Sequence, residues 1–328
     1  MADFDHSHIA PAGYLRAWAD GKQLAMRLVE DPERTVPAAP KDVGVRRGFT
    51  RERQPDGSYV NRLDPMLAKL EDVALPLWRD LDEHWPATGS ERAAIAELLA
   101  FQIVRSPAWR ELHTTEVPKH GARAREDFPD RDEREFQEAE AALLSDEGRH
   151  DRLRWQGRLL TFVIVNMHWT LLRADGPQLV TSDHPVVVLG IDADTAEAPR
   201  AVPATGLVNT LELRFASRPD LLMAMSWRDD GEEALAQALG ERHVRDHNSS
   251  VITQAERQWF HHPRISPQYG ADTRRAISME LQQGYGPDAA RVSERRMWVS
   301  SLLSDPIDYK RFARGIPFVP WPAQKAAA

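Results

Sequence analysis

The run Leu153-Arg-Trp-Gln-Gly-Arg-Leu-Leu-Thr-Phe-Val-Ile-Val-Asn166 is followed closely by Trp169-Thr-Leu-Leu-Arg173 and Gln178-Leu-Val-Thr-Ser-Asp-His-Pro-Val-Val-Val-Leu189. Periodicity alone does not separate helix from strand in the first run, but its length and the polar turns before it favour a buried helix. The two shorter runs read as strands, the second interrupted at Asp183-His184-Pro185, and Leu221 to Trp227 reads as a third. Asp175-Gly176-Pro177 joins the first two closely enough for a hairpin. Helix and strand thus succeed one another without a regular βαβ alternation. The pattern predicts an α+β fold: several helices packed around a small, mainly antiparallel sheet.

Toward the N-terminus, Asp20-Gly21 lies between Tyr14–Ala19 and Lys22–Val29 and predicts a two-stranded hairpin. Residues 31–62 are rich in Pro, Gly and Arg and read as an irregular excursion with one short hairpin at Asp56-Gly57. From Asp64-Pro65 a helical stripe begins: Leu63, Met66, Leu67, Leu70, Ala74, Leu77, Trp78, Leu81 and Trp85, with a kink expected at Pro76. A second helix opens near Ser90 and turns at Arg105-Ser106-Pro107. Residues 118–152 are densely charged and predict a surface helix around 131–144 with mobile flanks. Glu232–Leu239 and Val244–Gln258 read as helices. Residues 1–262 are expected to form a single domain, and 263–328 an extension packed on it.

Apolar residues make up 42% of the 328, enough for a large buried core. Cysteine is absent, which excludes disulfides, thiolate metal sites and cysteine nucleophiles. A formal charge of −8 argues against a whole surface built to grip nucleic acid, leaving only a local basic stretch at Arg46, Arg47, Arg51 and Arg53. That stretch reads either as a solvated face or as a backbone contact. No signal peptide or apolar run of bilayer length is visible, so a cytoplasmic protein without membrane attachment is expected. Phosphate-binding glycine loops, the Gly-x-Ser-x-Gly elbow and His-Glu-x-x-His are missing.

Chemistry concentrates in two segments, His8-Ile-Ala-Pro-Ala-Gly-Tyr14-Leu15-Arg16 and Thr181-Ser182-Asp183-His184-Pro185. With Trp18, Glu71, Arg105-Ser106-Pro107, Trp169, Leu171-Leu172, Asn248, Ala255 and Arg257, they resemble the bacterial domain-of-unknown-function 4238 family over roughly residues 6–262. The resemblance supplies positions and no reaction.

His8 and Asp183 are the candidate catalytic pair: an imidazole acid/base and a carboxylate that orients it or is itself the base. Alternatively, Asp183 caps a turn before Pro185. Arg16 and Arg105 read as anion clamps if they share a cleft, or as internal ion-pair partners, with Glu71 or Glu97 available to Arg16. Tyr14, Ser182 and Asn248 complete the candidate substrate-binding set. His6 and His8 share a face in a strand, yet the histidines lack a closed zinc set; no metal and no cofactor is predicted. The leading expectation is a hydrolase- or transferase-type enzyme, nuclease action being one version, with a small anionic ligand or nucleic acid as partner. The alternative is a non-catalytic ligand- or protein-binding module whose matching residues form a buried polar network.

Overall fold

The computed structural model describes residues 6–54, 56–83, 85–190, 200–201, 210–227, 233, 237–270 and 294–304. Helices and several small, mostly antiparallel sheets make an α+β architecture. The largest sheet orders its strands β10 (Arg200–Ala201), β9 (Val186–Gly190), β11 (Thr210–Arg218), β12 (Leu221–Ser226), β7 (His168–Arg173) and β13 (Gln237–Ala238). Only the β13–β7 pairing is parallel. A second sheet runs β3 (Thr35–Ala38), β2 (Leu24–Leu28), β14 (Gln258–His261), β8 (Thr181–Ser182). Two ribbons pair β1 (His6–His8) with β4 (Val45–Arg47), and β5 (Glu52–Arg53) with β6 (Tyr59–Val60).

The helices are α1 (Ala12–Leu15), α2 (Leu63–Arg79), α3 (Gly89–Val104), α4 (Pro107–Asp127), α5 (Glu133–Leu144), α6 (Asp146–Asn166), α7 (Glu241–Gln254) and α8 (Glu294–Ser304). α2 buries Leu63, Leu67, Ala74 and Trp78, the stripe its spacing predicts, and Pro76 falls in its last turn. α3 is buried on most sides and packs along α6. Ser106 accepts from the Trp109 amide and caps α4, with Pro107 at the first helical position. Between helices and sheets lies an aromatic cluster in which Tyr14 meets Trp18, Trp78 and Phe215 with ring centroids 4.7, 5.7 and 5.2 Å away. No helix among the described residues is long and apolar enough to cross a membrane.

Several expectations need correction. The first arm of the predicted N-terminal hairpin is helical: α1 is followed by a 3₁₀ turn at Arg16–Trp18. Tyr14, Leu15 and Trp18 are buried together, a spacing that suits one helix face better than alternation. The Asp20-Gly21 turn itself forms, with Gly21 at φ +63, where glycine lacks the Cβ penalty. β2 pairs instead with β3 and β14.

The second predicted hairpin also fails. Its turn at Gly176 has the positive φ of 81, but β7 pairs with β12 and β13 and never with β8. β7 and β12 are almost continuously buried and need neighbours on both edges, a place the polar Thr-Ser-Asp segment does not fill. The run 178–189 is therefore divided between two sheets, and Asp183-His184-Pro185 is the corner where the chain changes from one to the other.

β11 is absent from the sequence reading altogether. Within 118–152 the flanks of the surface helix are themselves helical, in α4 and α6. Gln237–Ala238, expected to end a helix, is strand, and the remainder of that stretch except Glu233 and Leu239 lies outside the described residues. Of the C-terminal extension, residues 263–270 and α8 are described. Val299 enters the core, and Trp298 lies 6.0 Å from Phe162.

Candidate functional site

Most of the predicted site residues hold the fold's pieces to one another. Tyr14 OH donates to the Ala216 carbonyl at 2.8 Å, so at its 2.8 Å contact with Thr181 Oγ1 it acts as acceptor. One side chain thus ties α1 to β8 and β11. Burial drives the Tyr14 phenol well above its ordinary pKa, and the Thr181 hydrogen bond offsets this only in part. Ser182 Oγ donates to the His184 carbonyl and accepts from the His184 amide, at 2.8 and 3.0 Å, closing the corner between the sheets. Asn248 Oδ1 accepts from Val180 N, while Nδ2 donates to the Gln178 and Gln268 carbonyls, each at 3.0 Å.

Asp183 receives three backbone amides. Glu256 N donates to Oδ1 at 2.9 Å, and Arg257 N and Gln258 N donate to Oδ2 at 2.9 and 3.1 Å. Burial nonetheless leaves its carboxyl above the usual aspartate range, with those amides and the charge of Arg46 pulling the other way. Its partners are remote backbone amides rather than the local turn amides that the sequence suggested. His8 is half-buried, and its Nε2 lies 3.1 Å from the Lys41 carbonyl. No hydrogen bond joins His8 to Asp183 among the described residues.

Arg105 and Arg16 have different surroundings. Arg105 is buried and donates to Glu71 Oε1 at 2.9 Å and to Gln102, whose own Nε2 donates to the Ile9 carbonyl. Burial lowers the Arg105 pKa against the opposing effect of Glu71 and Asp64. Arg16 is exposed on the rim of a separate groove, so Glu71 goes to Arg105 instead.

A different pair has the geometry of an acid–base dyad. His150 Nδ1 lies 2.7 Å from Glu52 Oε1, with side chains only 7% and 1% exposed. A carboxylate accepts, so Nδ1 carries a proton toward Glu52, and Nε2 is the nitrogen left to take up or give a proton. Among the described residues Nε2 makes no hydrogen bond. Glu52 is placed by β5, and its Oε2 lies 3.7 Å from Arg62 Nε. The strand's approach is anchored by Thr50, which donates to Asp64 Oδ2 at 3.0 Å and meets Ser7 of β1 at 2.5 Å.

His150 lines a cavity of about 30 Å³ between α4 and α6, together with His113, Arg110, Arg149, Arg152 and Trp109. That volume suits a water molecule. The surroundings are cationic. Burial lowers the Arg110 pKa, Arg149 and Arg46 add to this, and Asp146 opposes it. Burial likewise depresses His113, with Arg152 and Arg149 contributing in the same direction. Asp146 stays below the usual range: burial would raise it, but the Arg53 amide and Arg149 prevail. No group of three or more His, Asp or Glu side chains suited to a metal ion occurs among the described residues.

A family model matches residues 7–264. The chain belongs to DUF4238. That family is described as a protein of unknown function, so membership fixes the kinship of the fold and no reaction. No curated protein and no solved structure matches the chain. The DUF4238 region includes both the polar frame and the dyad.

Sequence reasoning missed Glu52 and His150. His150 lies in the densely charged stretch 118–152, and Glu52 sits between arginines in Arg51-Glu52-Arg53, which reads as a solvated face. The available signal was the period of two: in a strand, Glu52 points opposite to both neighbours. Of those arginines, Arg51 lies over the Tyr59 ring, Arg46 pairs with Glu256, and the Arg53 amide donates to Asp146.

Proposed function

We propose that this protein is an enzyme of hydrolase or transferase type acting on an anionic, phosphate-bearing substrate at the mouth of the cavity between α4 and α6, whose interior has room for the attacking water alone. The observation that carries this reading is the buried Glu52–His150 pair beside arginines. His150 Nε2 takes a proton from a water or an attacking hydroxyl, and Glu52 stabilises the imidazolium that results. Arg110, 4.0 Å from Asp146, meets the substrate's oxyanion from the rim, while Arg149 is held by its own ion pair with Asp146. Tyr14, Arg105, Ser182, Asp183 and Asn248 act at a distance here by fixing the frame that sets β5 against α6.

The test is turnover of p-nitrophenyl phosphate, bis(p-nitrophenyl) phosphate and short oligonucleotides by wild type, His150→Asn and Glu52→Gln. Loss of an oriented general base costs roughly 10²–10⁴-fold in rate. Equal turnover by wild type and a folded His150→Asn variant rejects the dyad. Absence of turnover across the panel favours the second reading, a non-catalytic binding module. What favours that reading is the internal pairing of Tyr14, Ser182, Asp183 and Asn248.

A further inference from the structure

A groove unconnected with the dyad runs between α1, the last turns of α2 and the end of β11, lined by residues that include Arg16, Arg79, Trp78, Ser217 and Arg218. Its volume of about 430 Å³ is in the range of small-molecule sites. We infer that this groove binds the oxyanion of a small phosphate- or carboxylate-bearing molecule, held between Arg16 and Arg79 over the Ser217 hydroxyl and the Trp78 indole N–H.

Charge comes first. Arg218 is consumed by Asp82 and Asp220, to which it donates at 2.8 and 3.1 Å. Asp82 is further paired with Arg173. Two arginines and two carboxylates there cancel. Arg16 and Arg79 are exposed, and neither side chain makes an ion pair or hydrogen bond among the described residues. The groove therefore keeps two uncompensated guanidiniums, which prefer an anion.

Unsatisfied donors make the second observation. Ser217 and Trp78 are each 2% exposed, and neither Ser217 Oγ nor Trp78 Nε1 has a hydrogen-bond partner among the described residues. A buried donor without a partner is costly, and such groups call for an explanation. Ser217 stands where the β11–β12 register slips between Ala216 and Arg218, so a bulge frees it from the ladder. An oxyanion answers both donors and both cations. Gly13 keeps the wall close: a Cβ there would stand 2.7 Å from Leu75 Cδ1.

The experiment titrates inorganic phosphate, pyrophosphate and succinate into the full chain, following heat and the ¹⁵N-labelled Trp indole resonances, with the Trp78 signal assigned from Trp78→Phe. Saturable binding is expected to shift that signal. Arg16→Gln with Arg79→Gln should weaken it about tenfold or more per lost arginine, one charge-assisted contact each. Ser217→Ala should weaken it less, and the Trp78 indole signal reports this groove rather than the dyad. Preference for phosphate or for succinate identifies the ligand group. Binding that survives the double arginine variant or leaves the Trp78 indole unmoved overturns the assignment. So does no binding of any probe at 10 mM, a range that generously covers small-ligand affinity.

Discussion

Replacing Asp183 by asparagine should cost about 2 kcal/mol of stability or more, although size is kept and only charge removed. One amide oxygen stands where two carboxylate oxygens accept from Glu256, Arg257 and Gln258. The better orientation of Asn keeps the two bonds at Oδ2 and turns its NH₂ toward the Glu256 amide. Each retained bond falls from charge-assisted to neutral strength, a loss of about 1 kcal/mol, and a stranded buried N–H costs about 1–3 kcal/mol. The gross loss is then roughly 3–5 kcal/mol. Asparagine gives back the desolvation of a charge, which is sizeable because burial lifts the Asp183 carboxyl above its usual range even against three amides and Arg46. That return outweighs the lost charge assistance, so the remainder is the stranded N–H, about 2 kcal/mol, which corresponds to a fall in Tm of about 4–8 °C at most, with the lower end suited to a chain this long.

Urea unfolding followed by circular dichroism measures this directly. The sign with pH follows from the raised carboxyl: its stabilisation is complete below the unfolded aspartate pKa and lost as pH rises through the folded one. The penalty of Asp183→Asn is thus widest on the acid side and narrows upward. A variant that loses under about 0.5 kcal/mol, within the range of surface substitutions, yet is catalytically dead would refute the reasoning and return Asp183 to the chemistry.

Two further outcomes are expected. Burial holds the His184 pKa down at about 4 and that of His247 at about 3, with Arg214 adding at His247. Both stay neutral in the fold, so the stability they contribute is complete above the ordinary histidine pKa. It is lost as pH falls through this window, at about 1.4 kcal/mol per pH unit for each group; urea midpoints that do not move between pH 7 and pH 5 would contradict it. Tyr14→Phe removes the donor to Ala216 O and the acceptor for Thr181, and should cost about 1–3 kcal/mol by thermal melting, whereas an unchanged Tm would mean that Tyr14 does not clamp α1 to the sheets.

The legible parts of the fold are those whose burial follows a simple period. α2 and α3 sit where their apolar spacing puts them, and the Asp56-Gly57 turn closes its hairpin between Glu52–Arg53 and Tyr59–Val60. β11 breaks that logic. Its inward positions include Glu212 and Arg214, both fully buried and bonded to each other, where alternating charge normally marks a solvated edge. His150 was hidden in the same way, inside a helix opening dense with Asp146, Glu147, Arg149, Asp151 and Arg152. Its burial is decided by Glu52, which lies 98 residues earlier in the chain. No local pattern carries such a pairing.

The two polar segments spend most of their side chains on internal partners, Arg16 and His184 Nε2 excepted. Thr181, Ser182 and Asp183 each spend their polar atoms on a different element: Tyr14 of α1, the corner at His184, and the amides leading into β14. A chain that changes sheets at Asp183-His184-Pro185 leaves backbone and side-chain groups in the interior. Most of these are bonded, because a stranded group costs as much as a sizeable share of net stability. Such a corner restricts residue identity as strictly as catalysis does, and the restriction falls on polar residues, which read as chemistry in a sequence. Glu52 and His150 are placed differently: after their mutual bond the imidazole keeps Nε2 at a cavity, whereas the equally unpartnered Nε2 of His184 is buried in the corner.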